Sequence, residues 1–274
     1  MGYANRISNA IFYFIMLSVR WIHIKKKIND IELYIEKYGS GKPIVFSYGW
    51  LDDCSIWSSQ IDAFAKNNTK IIYDHRGHGL SDKPKGDYSI KELSDDLYSL
   101  IEELRLEKTI IVGFSLGGMV ALRFAIEHPD RIIKLVLVGT TAKMALTMHI
   151  IRILKYILPY KTIARIVCKR KFYKPSKQII EDALSRAMKV DRYVAYKCLN
   201  EFTKNYDIKD MISLIKVPTL IVVGEKDKLN LKASKYLNRK IKNSELRIVS
   251  DSGHTVMVEK PDEFNHIVGN FIRK

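Results

Sequence analysis

Thr109-Ile110-Ile111-Val112-Gly113-Phe114-Ser115-Leu116-Gly117-Gly118 joins two patterns of different period. Its first half is an unbroken apolar run, as a strand buried on both faces requires. Directly after Gly118 the chain reads MVALRFAIEH, apolar at helical spacing and stopped by Pro129. So tight a turn from strand to helix forces its central residue into strained geometry. Glycines two residues before and two after Ser115 remove the side chains that would collide, and the serine is presented at the top of a sheet. The N–H of Leu116 then lies at the start of the new helix and points toward negative charge formed at the serine.

Outward from this turn, similar apolar runs recur at 43–47 (PIVFS), 70–74 (KIIYD), 134–139 (KLVLVG), 219–224 (TLIVVG) and 245–250 (ELRIVS). Between them lie amphipathic helical patterns, among them 89–106, with Ser89 as cap and Glu92 three residues later, and 116–128. Alternation of this kind predicts an α/β fold built on a doubly wound, mostly parallel sheet buried on both faces. Upstream, IHIKKKI and IELYIEKYG flank Asn29-Asp30 as a hairpin. Gly39-Ser40-Gly41-Lys42-Pro43 precedes a strand and lacks the spacing of a phosphate-binding loop, so it reads as a second hairpin turn. The alternation stops over 142–215, where helical patterns continue without a strand. That stretch is expected to be a helical cap inserted after the sixth strand, over the carboxyl edge where ligands bind. The core is then 28–141 with 216–274.

A length of 274 residues with 47% apolar and 28% charged residues suits one globular domain with an insertion, and excludes disordered and disulfide-stapled classes. Cys54, Cys168 and Cys198 form no CxxC pair, and their odd number favours a reducing compartment. The net charge of +16 is concentrated: residues 1–29 contribute +5 and residues 143–177 contribute +10, with no acid in either stretch. Both stretches thread their bases through large apolar residues, which suits an anionic membrane surface and argues against nucleic acid. Residues 1–27 are expected to form an amphipathic helix, with Asn9, Tyr13, Met16, Arg20, His23 and Lys27 on its polar stripe. The apolar run is too short to span a bilayer, and no small-residue cleavage site follows it. The expected location is cytoplasmic, with peripheral contact to the cytoplasmic face of a membrane through 1–27 and the cap. A helix folded on the protein's own body is the plainer alternative.

A serine hydroxyl needs a neighbouring base, itself oriented by a carboxylate. Asp227 follows the run TLIVVG and His254 follows ELRIVS, both just past strand carboxyl ends on the edge that carries Ser115. The order Ser, Asp, His suits this kind of turn. Glu225 and Asp251 are the alternative carboxylates. His75 and His78 sit three apart in a glycine-rich loop, but no third ligand lies at metal-binding spacing.

These features together resemble the α/β-hydrolases, in their capped esterase and lactonase-like branch. The resemblance runs from about Ile31 to the C-terminus and is weakest in the insertion. It rests on Tyr48-Gly49-Trp50, on Asp74-His75-Arg76-Gly77-His78-Gly79-Leu80-Ser81, on the Ser115 turn, on the Asp227 loop and on Gly253-His254 followed by Glu259-Lys260-Pro261. It implies that the Trp50 N–H joins that of Leu116 in an oxyanion hole. The chain departs from the usual pattern there, with Tyr48-Gly49 in place of His-Gly, which leaves a backbone donor intact.

The expected activity is hydrolysis of a carboxylic ester by a Ser115-His254-Asp227 triad without metal or organic cofactor. The apolar cap suggests a lipid-like small-molecule substrate with a medium or long acyl chain. Lactonase, carbon–carbon hydrolase, thioesterase and acyltransferase chemistry use the same triad, and a membrane-associated binding protein with vestigial catalysis is a further alternative.

Overall fold

The computed structural model describes residues 22–64, 68–146 and 148–274. Its strands are β1 (Ile22–Ile28), β2 (Ile31–Tyr38), β3 (Lys42–Ser47), β4 (Asn68–Tyr73), β5 (Thr109–Phe114), β6 (Ile132–Val138), β7 (Thr219–Gly224) and β8 (Ser244–Val249). They form one eight-stranded sheet in the order β1-β2-β4-β3-β5-β6-β7-β8. From β4 to β8 every pairing is parallel; β1 pairs β2 antiparallel, and β2 pairs β4 antiparallel.

Outside the insertion, the helices are α1 (Ser58–Phe64), α2 (Ile90–Glu103) and α3 (Leu116–Glu127) before β6. The sheet buries alternate residues of the same strand on opposite faces. Val45, Ile71, Ile111, Leu135 and Ile221 pack with Leu97 of α2 and Val120 and Phe124 of α3. Their neighbours Phe46, Ile72, Val112, Val136 and Val222 pack on the other side with Trp57, Phe64 of α1 and the C-terminal residues Phe264 and Val268. Strands covered on both faces need apolar residues at every position, and this is why the runs lack polar alternation. The α2 start is as expected, with Ser89 Oγ accepting from Glu92 N at 3.0 Å.

Between β6 and β7 lie α4 (Met148–Leu154), α5 (Tyr160–Arg170), α6 (Lys177–Lys189), α7 (Arg192–Lys204) and a 3-10 turn at Lys209–Leu214. The two passes of chain at the root of these helices are tied by a bridge of Lys143 to Asp207 and by Ile208 N donating to Ala142 O at 3.0 Å. Ser176 caps α6 through Ile179 N, and Asp191 caps α7 through Tyr193 N. After β7 come α8 (Lys228–Lys240), α9 (Val256–Glu259) and α10 (Pro261–Arg273).

Three expectations change. The helix assigned to 1–27 cannot include 22–27, which are β1: Ile28 and Ile31 face each other in the buried register of the hairpin. A period of two wins there because Ile24 and Ile28 turn to the core while His23, Lys25 and Lys27 stay outside. The rest of that expectation, residues 1–21, lies outside the described residues. Second, Gly39 to Gly41 is no hairpin, because β4 lies between β2 and β3; the link crosses a strand, with φ of 74° at Gly39 and 116° at Gly41. Third, β8 is not buried on both faces. It is an edge strand, and its Arg247 and Ile248 are exposed. Among the described residues no helix is long and apolar enough to cross a membrane.

Candidate active site

Ser115 stands between β5 and α3 with φ 52° and ψ −111°. For a residue with a side chain this conformation costs about 1–3 kcal/mol and survives only where its surroundings over-determine it. They do so here. Ser115 N donates to Val138 O at 2.9 Å, Thr140 Oγ1 donates to Ser115 O at 2.8 Å, and Gly117 N donates to Tyr48 O at 2.8 Å. A Cβ on Gly113 would lie 2.5 Å from Gly117 O, so the glycine before the serine is a condition of the turn.

The ends of β7 and β8 bring the partners. Asp227 is the N-cap of α8, and His254 follows β8 with its ring centroid 4.8 Å from that of Phe114. His254 Nε2 lies 3.0 Å from Ser115 Oγ, and His254 Nδ1 lies 2.6 Å from Asp227 Oδ2. The carboxylate accepts, so the network puts the ring proton on Nδ1 and leaves the Nε2 lone pair for the serine hydroxyl. Asn230 Nδ2 holds the carboxylate from the other side, at 2.9 Å from Oδ2 and 3.1 Å from Oδ1, and Asn230 N donates to Oδ1 at 3.3 Å. Burial pushes the Asp227 pKa up, but the attraction and hydrogen bond of His254, together with the Asn230 bonds, outweigh it. The carboxyl titrates below its ordinary range.

Glu225 accepts from Asp251 N and pairs with Lys226, and Asp251 also faces Lys226; of the three carboxylates considered, Asp227 is the one hydrogen-bonded to His254. His75 and His78 are buried structural groups. Tyr48 Oη accepts from His75 N at 2.8 Å, His75 Nε2 lies 3.2 Å from Ser47 Oγ, and His78 Nδ1 lies 3.0 Å from Arg76 O. Burial lowers their pKa values, to about 3 for His75, helped by the neighbouring His78, and to about 4 for His78. Among the described residues no cluster of three or more His, Cys, Asp or Glu is placed to hold a metal ion.

Trp50 and Leu116 both line the cavity above Ser115. As the first residue of α3, Leu116 has no carbonyl four residues back within the helix for its N–H. The Trp50 loop is pinned from the inserted helices. The Trp50 indole Nε1 donates to Ala195 O at 3.0 Å, and its ring meets Phe202 edge-on at 5.4 Å between centroids. Lys171 Nζ, buried behind the loop, donates to Trp50 O at 3.0 Å and to Asp52 Oδ2 at 2.6 Å. The carbonyl of the same lysine accepts from His254 N at 2.8 Å, so one residue of the insertion touches both the Trp50 loop and the histidine loop.

Sequence reasoning did not find Asn230, Thr140 or the Lys171–Asp52 pair. Asn230 had a readable signal, a capping residue three positions after an Asx at a helix start. Lys171 had none, because 119 residues separate it from Asp52.

The cavity holds about 870 Å³ between the sheet edge and the inserted helices. Leu116, Met119, Met144, Met148, Ile151 and Val167 supply apolar wall, and Ser115, His254 and Asp227 stand in its lining. This row of strained serine, histidine and part-buried carboxylate is suited to activating an oxygen nucleophile.

A family model described as alpha/beta hydrolase fold matches residues 42–162. The chain is 28% identical over 267 residues to the AB hydrolase superfamily protein YisY of Bacillus subtilis, covering 91% of this chain and 98% of that one. Among solved structures, a bromoperoxidase from Bacillus anthracis superposes with a TM-score of 0.86 at 25% identity, covering 92% of this chain and all of that one. Est816, described as an N-acyl homoserine lactone degrading enzyme, superposes with a TM-score of 0.80 at 28% identity, covering 91% of this chain and all of that one. With its sheet order, serine turn and helical insertion, and with these likenesses, the chain has the α/β-hydrolase fold.

Proposed function

We propose that the protein is a serine hydrolase of carboxylic esters with a medium or long acyl chain. The observation that carries this reading is the hydrogen-bonded row at the base of an apolar cavity, with Ser115 Oγ 3.0 Å from His254 Nε2 and His254 Nδ1 2.6 Å from Asp227. Ser115 Oγ attacks the acyl carbon while its proton passes to Nε2. The tetrahedral oxyanion takes the N–H groups of Leu116 and Trp50. His254 then returns the proton to the departing alkoxide, and the ester C–O bond breaks. Water, deprotonated by the same nitrogen, hydrolyses the acyl-enzyme and frees the acid. Asp227 holds the tautomer and steadies the imidazolium, and Asn230 steadies Asp227.

The acyl chain is assigned to the wall formed by Met144, Met148 and Ile151, and the inserted helices that carry this wall act as a lid. The same helices offer a route for lipid. Leu146, Ile150, Ile153, Tyr156 and Ile157 are exposed on their outer side, within the acid-free basic stretch 143–177. We assign that side to peripheral contact with an anionic membrane.

Initial rates on p-nitrophenyl esters from acetyl to palmitoyl test the reading, with Ser115→Ala alongside. Activity that is lost in the variant and rises with chain length supports it. Equal rates on acetyl and palmitoyl esters overturn the acyl-chain assignment, and turnover unchanged in Ser115→Ala overturns the triad. A second reading, lactone opening by the same residues, is favoured by the likeness to Est816. Product analysis on an acyl lactone against its open-chain ester separates the two.

A further inference from the structure

The cavity has much apolar wall, yet its lining is lopsided in charge. Lys143, Arg170, Lys171, Lys209, Lys226, Lys228, Lys232 and Arg239 border it, against one carboxylate, Asp227, which is committed to His254 and Asn230. Three of these cations are answered elsewhere: Lys143 by Asp207, Lys171 by Asp52 and Lys226 by Glu225. Among the described residues Arg170, Lys209, Lys228, Lys232 and Arg239 have no ion-pair partner. Lys228, Lys232, Tyr236 and Arg239 recur at helical spacing, and all four border the cavity, so one stripe of α8 faces it. Arg170 ends α5 and Lys209 opens the 3-10 turn, so the uncompensated charges come from three separate elements around one cavity.

Like charges gathered round a concave site repel one another and raise the local potential, and both effects are relieved by a bound anion. We infer that the substrate carries an anionic group, a phosphate or a carboxylate, at the end away from its acyl chain, and that Lys232 and Arg239 of α8 with Arg170 of α5 bind it. This rests on the ester-hydrolase reading and narrows it: a neutral acylglycerol fits the apolar wall but leaves the cationic lining unanswered. Lys228 is left out of the test because it adjoins Asp227.

The full-length protein is assayed on 1-octanoylglycerol, on 1-octanoylglycerol 3-phosphate and on O-octanoylglycolate, as wild type and as Lys232→Gln/Arg239→Gln. The expected result is a kcat/KM preference for the charged esters of about tenfold or more over the neutral one, falling by a similar factor in the double variant and with rising salt. The phosphate and the glycolate carboxylate together distinguish a phosphate-specific site from a general anion site. Equal kcat/KM on neutral and charged esters overturns the inference while leaving the ester-hydrolase reading intact.

Calorimetric binding of octyl phosphate and of octanol to Ser115→Ala supplies a readout that needs no turnover. Tighter binding of the phosphate, weakened in the added double variant, upholds the anion site even if none of the esters is cleaved, an outcome that would sink the hydrolase reading alone. Equal binding of the two probes sinks the anion site.

Discussion

Helix α3, LGGMVALRFAIE, and helix α4, MHIIRIL, are both rich in large apolar residues, and the protein treats them in opposite ways. Nine of the twelve residues of α3 are buried, and the helix is wedged between the serine turn and the sheet. In α4 only Ile151 is buried, while Ile150 and Ile153 are 57% and 58% exposed. The first helix has neighbours on almost every side. The second has the cavity on one side and, on the other, nothing within the described residues that hides its isoleucines. An apolar residue in α3 therefore reports packing, whereas in α4 most report a surface that faces substrate or another phase.

The largest effect should come from the centre of the packed region. Ser115→Ala is expected to lower ester hydrolysis by roughly 10⁵-fold, toward background, because nucleophile and base act as a unit. Steady-state rates check this, and a residual rate within a factor of about ten of wild type breaks the assignment.

Asp227→Asn should cost roughly 10⁴-fold in kcat, since an amide at that position favours the wrong tautomer of His254. It also carries a pH signature. The folded-state pKa of Asp227 is depressed, so its contribution to stability is complete above the ordinary carboxylate value of 3.8 and is lost as pH falls through the lower folded value. Urea melts should show wild type more stable than Asp227→Asn at pH 7, with the gap closing below pH 4. A gap that widens on acidification contradicts the sign.

How far the chain could be read in advance follows the same division. The serine turn, Asp227 and His254 were legible because strained strand-to-helix turns and strand ends impose local residue choices, glycine above all. The central strands were legible because burial on both faces removes polar residues. The β1 segment was misread in part because Ile24 and Ile28 fit a helical and a strand period alike, and the hairpin register decides only when β2 is present. The Gly39–Gly41 link failed because adjacency in sequence does not disclose that β4 inserts between β2 and β3. In the insertion, helices and charge were visible, but what they grip was not. Lys171 is one base among ten in 143–177, and only the fold sets it apart by burying it against Asp52.

That buried contact offers an intermediate effect. Lys171 and Asp52 have side chains 7% and 1% exposed, so Lys171→Met leaves Asp52 with Arg186, at 3.4 Å, as its remaining cationic partner. A loss of about 3 kcal/mol in urea melts is expected, with recovery in the Asp52→Asn/Lys171→Met double variant, because the unpaired charge and not the missing bridge is what costs. If the single variant is as stable as wild type, the insertion is not latched to the Trp50 loop through this pair.

The smallest stability effect tests the comparison most directly. Ile150→Ser and Ile157→Ser fall at positions 57% and 71% exposed, and each should change stability by less than about 0.5 kcal/mol. Ile151→Ser, one residue away and buried, should cost about 3 kcal/mol. Sedimentation with vesicles of anionic lipid should reverse the ranking between stability and binding: the exposed pair weakens association although it leaves the fold untouched. If Ile150→Ser instead destabilises the protein as much as Ile151→Ser, the outer side of α4 is already covered in solution. A second copy would then show as a change in oligomeric mass, and cover by residues 1–21 as a loss of the effect when they are removed. Both of those occupants bring positive charge against an insertion that already carries ten bases and no acid over 143–177, whereas an anionic bilayer brings the opposite sign.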